Sequence, residues 1–393
     1  MSITRRLLAL GATAAFIFAA CAGTGSSAAP TTGAATGAPA TAAPGSPAAT
    51  SAAVDWVACA AFDTGGLGDK SFNDLAQKGL KDAAAAGYTT HEAEAATATD
   101  YAANLQRLID QGCQTIIAVG FNYGGAVAEK AAANPTIAFA QVDTTWADGP
   151  GAGKDFTPGT ADDIPAPANY TGLDYQVDQA AMLAGYLAAG FSKSGKIGTY
   201  GGQPFAGVTR FMDGLVAGVN YYNSKHGTSA SVLGWDAVKQ EGSFVGGNNP
   251  WNDSATGEQR GLALLDQGVD IVLPVAGGTG NATIKAMFEA GKWAIGVDTD
   301  QYISLGPPTN AALLTSAQKN IDGSVLDVIN KNAAGDLGGE DYSGTIRNGG
   351  VLIAPYHDLD SQISAELKAE IEELKAALVD GTISVCDFSG LGC

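Results

Sequence analysis

Cysteine, histidine and positive charge are scarce in this chain of 393 residues, and each shortage argues against a class of protein. Five cysteines are too few for a scaffold built from disulfides, and three distant histidines lack the spacing of a zinc site. The 21 basic residues face 40 acidic ones, which gives a formal net charge of -19. Because nucleic-acid polymers are bound by basic side chains that displace counterions, we expect no nucleic-acid partner. We also expect no metal ion and no other cofactor.

The apolar run near the N-terminus is too short to cross a membrane. Residues 7–20 form a run of 14 residues, whereas a membrane-spanning helix needs roughly 18. Arg5 and Arg6 precede the run, which is the pattern of an export signal. We interpret residues 1–20 as a signal peptide and the protein as exported.

Cys21 directly follows this run, in the order Phe18-Ala19-Ala20-Cys21. Small residues before a cysteine resemble the lipobox of bacterial lipoproteins, although phenylalanine stands where leucine is usual. Cys21 is therefore predicted to carry a lipid, palmitate included, that holds the mature protein on the extracytoplasmic face of the cell membrane. Cleavage at an ordinary signal-peptidase site, with Cys21 incidental, is the alternative.

The segment after Cys21 has the composition of a tether. Residues 22–53 consist only of Ala, Gly, Ser, Thr and Pro. Such a segment cannot bury enough apolar surface to offset the entropy lost on ordering. Residues 21–53 are interpreted as a lipid-anchored linker, whose reach as a flexible coil is roughly 30 Å.

The remainder, residues 54–393, alternates short β-rich runs with segments of helical spacing. The runs predicted as strands are 56–62, 115–119, 136–142, 196–200, 231–235, 270–275, 293–297 and 350–354. This alternation is typical of βαβ units with parallel sheets. The length exceeds one comfortable hydrophobic core, so we expect two α/β lobes.

Helical periodicity is clearest after residue 71. Apolar residues recur at i, i+3, i+4 and i+7 from Phe72 to Ala84, which predicts an amphipathic helix. Ser71 with Asp74 is predicted to cap its start, and Gly87 to end it. A last long helix is predicted near residues 361–378.

Three aspartates, Asp63, Asp143 and Asp298, each follow a predicted strand. In open parallel sheets, ligands bind beyond the carboxyl ends of the strands. An aspartate at such a position is often only a turn or cap residue. Three of them at the same topological position nevertheless indicate a polar binding site.

A glycine-rich run also follows a predicted strand, and it approximates a dinucleotide fingerprint. Gly278-x-Gly280-x-x-Thr283 is followed by Asp298, 20 residues after Gly278. An NAD-dependent enzyme is therefore an alternative, although an exported protein rarely meets a nicotinamide cofactor. The Walker A, Gly-x-Ser-x-Gly and His-Glu-x-x-His motifs are missing, and we expect no enzyme.

Two specific motifs carry a family resemblance. Asp63-Thr-Gly-Gly-Leu-Gly-Asp-Lys-Ser-Phe-Asn73 and Gly296-Val-Asp298-Thr-Asp300-Gln301 resemble the basic membrane protein (BMP) lipoproteins, which include purine nucleoside receptors of ABC transporters. Weaker matches extend over nearly the whole of residues 54–393. The resemblance implies an α/β, type I periplasmic-binding-protein fold, with two doubly wound parallel-sheet lobes joined by three crossovers. It places lobe 1 in residues 54–172 and 301–345, and lobe 2 in residues 173–300 and 346–393.

The function implied by the resemblance is that of a receptor. Such a protein captures a nucleoside, in particular a purine nucleoside, in an interlobe cleft and delivers it to the permease of an ABC importer. We expect it to act as a monomer. A sugar or other small-ligand receptor of the same fold is one alternative, with Trp146 and Trp251 available to stack on a sugar. A surface or signalling lipoprotein without a transport role is another.

The resemblance also implies a set of binding residues. Asp63, Asp143 and Asp298 would be polar contacts, and Lys319 would reach the sugar. Phe72 and Phe244 would sandwich the base, with Ser71, Asn73 and Gly277 close by. From the residues alone, Phe72 could equally belong to the apolar stripe of its helix. This chain inserts residues 245–252 before Asp253, which leaves the register of Phe244 open.

The remaining cysteines are interpreted by their spacing. Cys386 and Cys393 enclose a short segment with two glycines, and in an exported chain we expect a disulfide between them. Cys59 and Cys113 lie on or beside predicted buried strands, where packed thiols are expected.

Overall fold

The computed structural model describes residues 53–152, 159 and 163–391, in which strands and helices alternate along most of the chain. The predicted signal peptide, Cys21, nearly all of the predicted linker and Cys393 lie outside the described residues. No helix in the described part combines the length and the apolar character needed to cross a membrane.

The strands, in chain order, are β1 (Val57–Phe62), β2 (Thr89–Glu94), β3 (Thr115–Val119), β4 (Ala138–Val142), β5 (Tyr170–Tyr175), β6 (Lys196–Gly201), β7 (Ser231–Leu233), β8 (Trp235–Asp236), β9 (Glu241–Gly242), β10 (Ile271–Val275), β11 (Trp293–Asp298), β12 (Leu313–Lys319), β13 (Tyr342–Gly344) and β14 (Val351–Ile353). The helices are α1 (Phe72–Ala85), α2 (Tyr101–Asp110), α3 (Gly124–Ala133), α4 (Val177–Phe191), α5 (Ala206–His226), α6 (Ser254–Asp266), α7 (Gly277–Glu289), α8 (Gln301–Leu305), α9 (Ile321–Ala333), α10 (Ala365–Asp380) and α11 (Cys386–Ser389). Short 3₁₀ helices cover Ala98–Asp100, Phe121–Tyr123, Thr309–Ala312 and His357–Gln362.

The first lobe is built on a parallel sheet in the order β13-β5-β4-β3-β1-β2. Its central strands β1, β3 and β4 are buried along almost their whole length because both faces of the sheet are covered, as expected for parallel sheets. Successive β1 side chains point to opposite faces. Ala60 and Phe62 join a core that includes residues of α1 and α9, whereas Cys59 and Ala61 join one that includes residues of α2 and α3.

The second lobe repeats this plan with the order β14-β12-β11-β10-β6-β7, in which only β14 runs antiparallel to its neighbour. Side chains of α4, α5 and α10 contribute to the core on one face, and those of α6 and α7 to the core on the other. Within the described residues, three connections cross between the lobes, at Gln176, at Asn320 and at residues 345–350. The type I fold with doubly wound lobes and three crossovers is therefore confirmed.

The boundary between the lobes needs a correction at β12. This strand pairs with β11 and β14 in the second sheet, whereas the boundary placed at residue 301 assigned it to lobe 1. The last residues of β5 likewise stay in the first sheet, beyond the boundary placed at residue 172. In both cases the chain changes lobe at the end of a strand, after its hydrogen bonds to the sheet are complete.

The start of α1 also differs from the sequence-based expectation. The hydroxyl of Ser71 does not cap the helix. The carboxylate of Asp69 instead accepts hydrogen bonds from the backbone N–H groups of Ser71, Asn73 and Asp74, at 2.8 to 3.2 Å. This frees the Ser71 hydroxyl for a contact with the other lobe. Gly87, with a φ of 105°, follows the helix end as predicted.

Cys59 and Cys113 form a disulfide, so the expectation of two packed thiols is wrong. Cys59 lies in β1, and Cys113 lies just before the neighbouring β3, which brings their Cα atoms to 6.0 Å. A sequence separation of 54 residues gave no local signal for this pairing. The Cys386–Cys393 bridge stays a prediction, since Cys393 lies outside the described residues.

Candidate functional site

A cavity lies between the carboxyl ends of the two sheets, and both lobes contribute to its walls. The space open to the centre of a water molecule is about 70 Å³. The lining residues are Asp63, Phe72, Asn73, Gly120, Phe121, Asn122, Asp143, Phe205, Gly207, Val208, Phe211, Trp251, Val275, Ala276, Gly277, Val297, Asp298 and Lys319. All three aspartates that follow predicted strands are among them.

Lys319 lies at the centre of the polar wall, with only 2% of its side chain exposed. Its Nζ is 2.7 Å from Oδ2 of Asp143, which belongs to the first lobe, and 3.4 Å from Oδ1 of Asp298, which belongs to the second. The ammonium also lies 5.5 Å and 4.8 Å from the ring centroids of Phe72 and Phe211. One buried cation therefore connects carboxylates of both lobes.

The charges of this group are unbalanced. Burial raises the pKa of Asp143 to about 6, the nearby Lys319 opposes the rise, and Asp298 adds to it. Burial lowers the pKa of Lys319, but the two carboxylates raise it by more, so the ammonium stays protonated. With both carboxylates ionised, one negative charge is left over. Such a buried acceptor group favours a ligand that offers hydroxyl or N–H donors.

Asp143 and Asp298 are oriented by an unusual backbone. Their φ angles are 71° and 64°, in the left-handed region that residues other than glycine seldom adopt. Each directs its carboxylate from a strand end into the cavity rather than along the sheet. Non-glycine residues in this conformation are concentrated at binding sites, where the surrounding structure holds them.

Asp63 and Asn73 form a second polar corner. Oδ1 of Asp63 accepts hydrogen bonds from the backbone N–H of Gly65 and from Nδ2 of Asn73, both at 2.9 Å. Burial raises the pKa of the Asp63 carboxyl group. The Oδ1 atom of Asn73 is buried and has no hydrogen-bond partner among the described residues. This corner presents acceptors to the same cavity as the Lys319 group.

Ser71 lies behind the cavity rather than in its wall. Its hydroxyl donates a 2.6 Å hydrogen bond to Oδ2 of Asp298, from the first lobe to the second. Nearby, Nδ2 of Asn281 donates to the carbonyl of Asp69 at 2.8 Å, again between the lobes. Ser71 therefore positions Asp298.

The structure moves the second predicted stacking residue. Phe244 does not line the cavity, because its ring packs beside Gly201 and lies 5.9 Å from the ring of Trp235. Phe205, at the start of α5, and Trp251, in the inserted residues 245–252, line the cavity from the second lobe instead. Trp146 does not line the cavity, and its indole N–H donates to the carbonyl of Ile164.

Phe121 and Phe205 were missed by the sequence reasoning. Their rings stack across the two lobes with centroids 4.4 Å apart, and both line the cavity. Beside them, Nδ2 of Asn122 approaches Oε1 of Gln203 at 3.5 Å. Phe121 stands two residues after β3 and Phe205 four residues after β6. Their signal was thus the same as that of the aspartates, a position just beyond a strand.

The glycine-rich run is used for packing rather than for a dinucleotide. The backbone N–H of Thr279, in the first turn of α7, donates to the carbonyl of Trp251 at 3.1 Å. The Thr283 hydroxyl donates to the carbonyl of Gly257 at 2.5 Å, which joins α7 to α6. Groups of the protein itself therefore occupy the position that a pyrophosphate would need.

Two α/β lobes joined by three crossovers, with a buried polar cavity between them, define the type I periplasmic-binding-protein fold with a ligand site between its lobes. Residues 56–387 match the Bmp family, described as ABC transporter substrate-binding protein PnrA-like, and the chain belongs to this family. It is a substrate-binding protein of an ABC transporter and not an enzyme.

Similar proteins agree with this assignment. The ABC transporter nucleoside-binding protein BmpA of Lactococcus lactis subsp. cremoris is 29% identical over 84% of this chain and 89% of its own length. Basic membrane protein A of Borreliella burgdorferi is 27% identical over 82% of this chain and 85% of its own. A crystal structure of a solute-binding protein of an ABC transporter system from Aeropyrum pernix K1 superposes with a TM-score of 0.70. It covers 84% of this chain and 92% of its own at 22% identity, which shows the shared fold.

Proposed function

We propose that this protein captures nucleosides, in particular purine nucleosides, between its lobes and delivers them to the permease of an ABC importer as a lipid-anchored monomer. The observation that carries the proposal is the buried group of Asp143, Lys319 and Asp298 in the same cavity as the Asp63–Asn73 corner. A nucleoside also offers two chemically different parts, a sugar with hydroxyl groups and a flat base. The name of the Lactococcus lactis relative supports this choice of ligand.

The Lys319 group has the chemistry to bind a ribose. Carboxylates accept hydrogen bonds from adjacent hydroxyl groups, and an ammonium donates to a hydroxyl oxygen. Asp143 and Asp298 lie on different lobes, so a sugar between them would hold the lobes together. We therefore assign the ribose to the Asp143, Lys319 and Asp298 group.

The base is assigned to the aromatic end of the cavity. Phe72 from the first lobe and Phe205 and Trp251 from the second supply flat apolar surfaces, on which any base can stack. Asp63 and Asn73 offer polar atoms to the edge of the base. Gly277, with a φ of 51°, lies beside the Trp251 carbonyl and keeps this wall free of a side chain.

Asp298→Ala is expected to weaken nucleoside binding by roughly 10- to 150-fold, since a charge-assisted hydrogen bond contributes about 1.5 to 3 kcal/mol. Calorimetric titration with adenosine, guanosine, the free bases and ribose measures this effect. Asp266→Ala, at an exposed position at the end of α6, is the matched control and should bind like the parent. Equal affinity of the parent for adenine and adenosine would refute a ribose-reading role.

A sugar receptor is the second candidate, and Trp251 in the cavity wall is the observation that favours it. An apolar sugar face commonly stacks on an aromatic ring of a binding site. The same titration separates the two functions, because a sugar receptor would bind ribose at least as tightly as adenosine.

The proposed anchor is tested at Cys21. Cys21→Ala should move the protein from the membrane fraction to the soluble fraction, because the acylated thiol is removed. Ser26→Ala, within the same uncharged segment, is the control and should stay on the membrane. Membrane retention of Cys21→Ala through detergent-free washing would count against the anchor.

A further inference from the structure

We propose that Trp251 determines which bases this cavity accepts, by donating a hydrogen bond from its indole N–H to a ring nitrogen of a purine. The proposal rests on the proposed nucleoside function and deepens it. Trp251 belongs to the inserted residues 245–252, and it reaches the cavity wall from which Phe244 is absent.

The backbone around the insertion fixes both residues. The N–H groups of Val245 and Gly246 donate to the carbonyls of Gly201 and Gly202 at 2.9 and 3.1 Å, which continues the pairing along β6 beyond the end of β7. This pairing holds Phe244 outside the cavity. The chain then returns, and the carbonyl of Trp251 accepts from the N–H of Thr279 in α7 at 3.1 Å.

Two glycines leave room for the indole. At Gly202, any Cβ atom would overlap the Cε3, Cζ3 and Cη2 atoms of Trp251, so this edge of the ring lies directly on the backbone. At Gly65 of the other lobe, a Cβ atom would lie 3.4 Å from Cβ of Trp251, 2.9 Å from Nδ2 of Asn73 and 3.0 Å from Oδ1 of Asp63. Trp251 therefore stands beside the Asp63–Asn73 corner.

The indole N–H is available for a ligand. Nε1 is on the edge of the indole opposite to Cε3 and Cζ3, so it faces away from Gly202. It is buried and has no hydrogen-bond partner among the described residues. Buried N–H groups are almost always paired, because an unpaired one loses its hydration without replacement. A ligand atom that accepts from Nε1 would complete this wall.

A purine supplies such an atom next to a donor. The Oδ1 atom of Asn73, which also lacks a partner in the described part of the chain, can accept from an amino group of the base. The Trp251 N–H from the second lobe and the Asn73 oxygen from the first would then bind neighbouring atoms of the base. These two hydrogen bonds would select among bases, whereas stacking alone tolerates every base.

The test is a cycle of variants and ligands. Trp251→Phe keeps a smaller aromatic ring in the wall and removes the indole N–H, and should weaken adenosine binding by roughly 3- to 10-fold. The ligands are adenosine and its 1-deaza, 3-deaza and 7-deaza analogues, each of which lacks one ring nitrogen. The analogue that lacks the accepting nitrogen should bind the parent more weakly than adenosine does, by a similar factor. In Trp251→Phe, this analogue and adenosine should bind with equal affinity. Trp293→Phe, whose ring packs on Phe191 outside the cavity, should bind all four ligands like the parent.

Each outcome decides between the two proposals. If adenosine and guanosine both fail to bind the parent, the proposed purine-nucleoside function is wrong. If adenosine binds but the deaza differences are the same in the parent and Trp251→Phe, the role of Trp251 is wrong while the function stands. Should Trp251→Phe not fold, the parent alone still decides, because three analogues that bind as tightly as adenosine would overturn the proposal.

Discussion

Lys319→Met is expected to lower the free energy of unfolding by about 3 to 5 kcal/mol near pH 8, because removing one partner leaves buried charges without compensation. The parent Lys319 is the cation between Asp143 and Asp298, at 2.7 and 3.4 Å. Methionine has a similar length but no charge. Denaturant unfolding of the unliganded parent and variant measures the difference.

The loss of unfolding free energy in Lys319→Met should depend on pH. Burial raises the pKa of Asp143 from 3.8 to about 6 in the parent, so its contribution to stability is fully present below about pH 4 and is lost as the pH rises through 6. Without the ammonium, which opposes this rise, the pKa of Asp143 increases further. The difference in the free energy of unfolding between the parent and Lys319→Met should therefore be larger near pH 8 than near pH 5.

Lys285→Met is the matched control for this experiment. Lys285 lies on α7 with 58% of its side chain exposed and forms an exposed ion pair with Glu289, so its removal should change stability by at most about 0.5 kcal/mol. A loss below about 1 kcal/mol for Lys319→Met would contradict the prediction. It would mean that Lys319 is hydrated in the unliganded protein.

The sequence located the three aspartates without any structure, because each stands where a recognisable buried strand ends. Lys319 could not be found this way. Its strand β12, Leu313–Lys319, is buried but was not recognised, so the lysine came only from the family resemblance. Once β12 pairs with β11, Lys319 and Asp298 lie at the same edge of one sheet.

Errors in the predicted fold and site have physical reasons. The strand β2 has the sequence TTHEAE at a sheet edge, with several exposed side chains, and therefore lacks the apolar run that marks the central strands. Phe244 was assigned by motif, whereas residues 245–252 supply Trp251 in its place. A motif fixes which residues are present, but an insertion beside it changes which of them reach the ligand.

The double variant Cys59→Ala, Cys113→Ala should be less stable than the oxidised parent by about 4 kcal/mol, the loop-closure value for a bridge of this span. The sulfurs join residues separated by 54 positions in sequence, so the bridge restricts a large part of the unfolded chain. Guanidinium unfolding of the oxidised parent and the double variant, with and without reductant, measures the effect. Reductant should lower the stability of the parent by more than that of the double variant, because only the parent has the Cys59–Cys113 bridge to lose.

Nucleoside affinity should respond differently from stability in the same variant. Cys59 and Cys113 belong to the core that includes α2 and α3, whereas Phe62 at the end of β1 packs on the other face of the sheet. Asp63 is further held by Gly65 and Asn73, and neither contact involves a cysteine. The dissociation constant of the folded double variant for adenosine should therefore stay within about 2-fold of the parent, since the sites share no partner. A large loss of affinity at unchanged stability would show that the bridge positions the cavity rather than closing a loop of the unfolded chain.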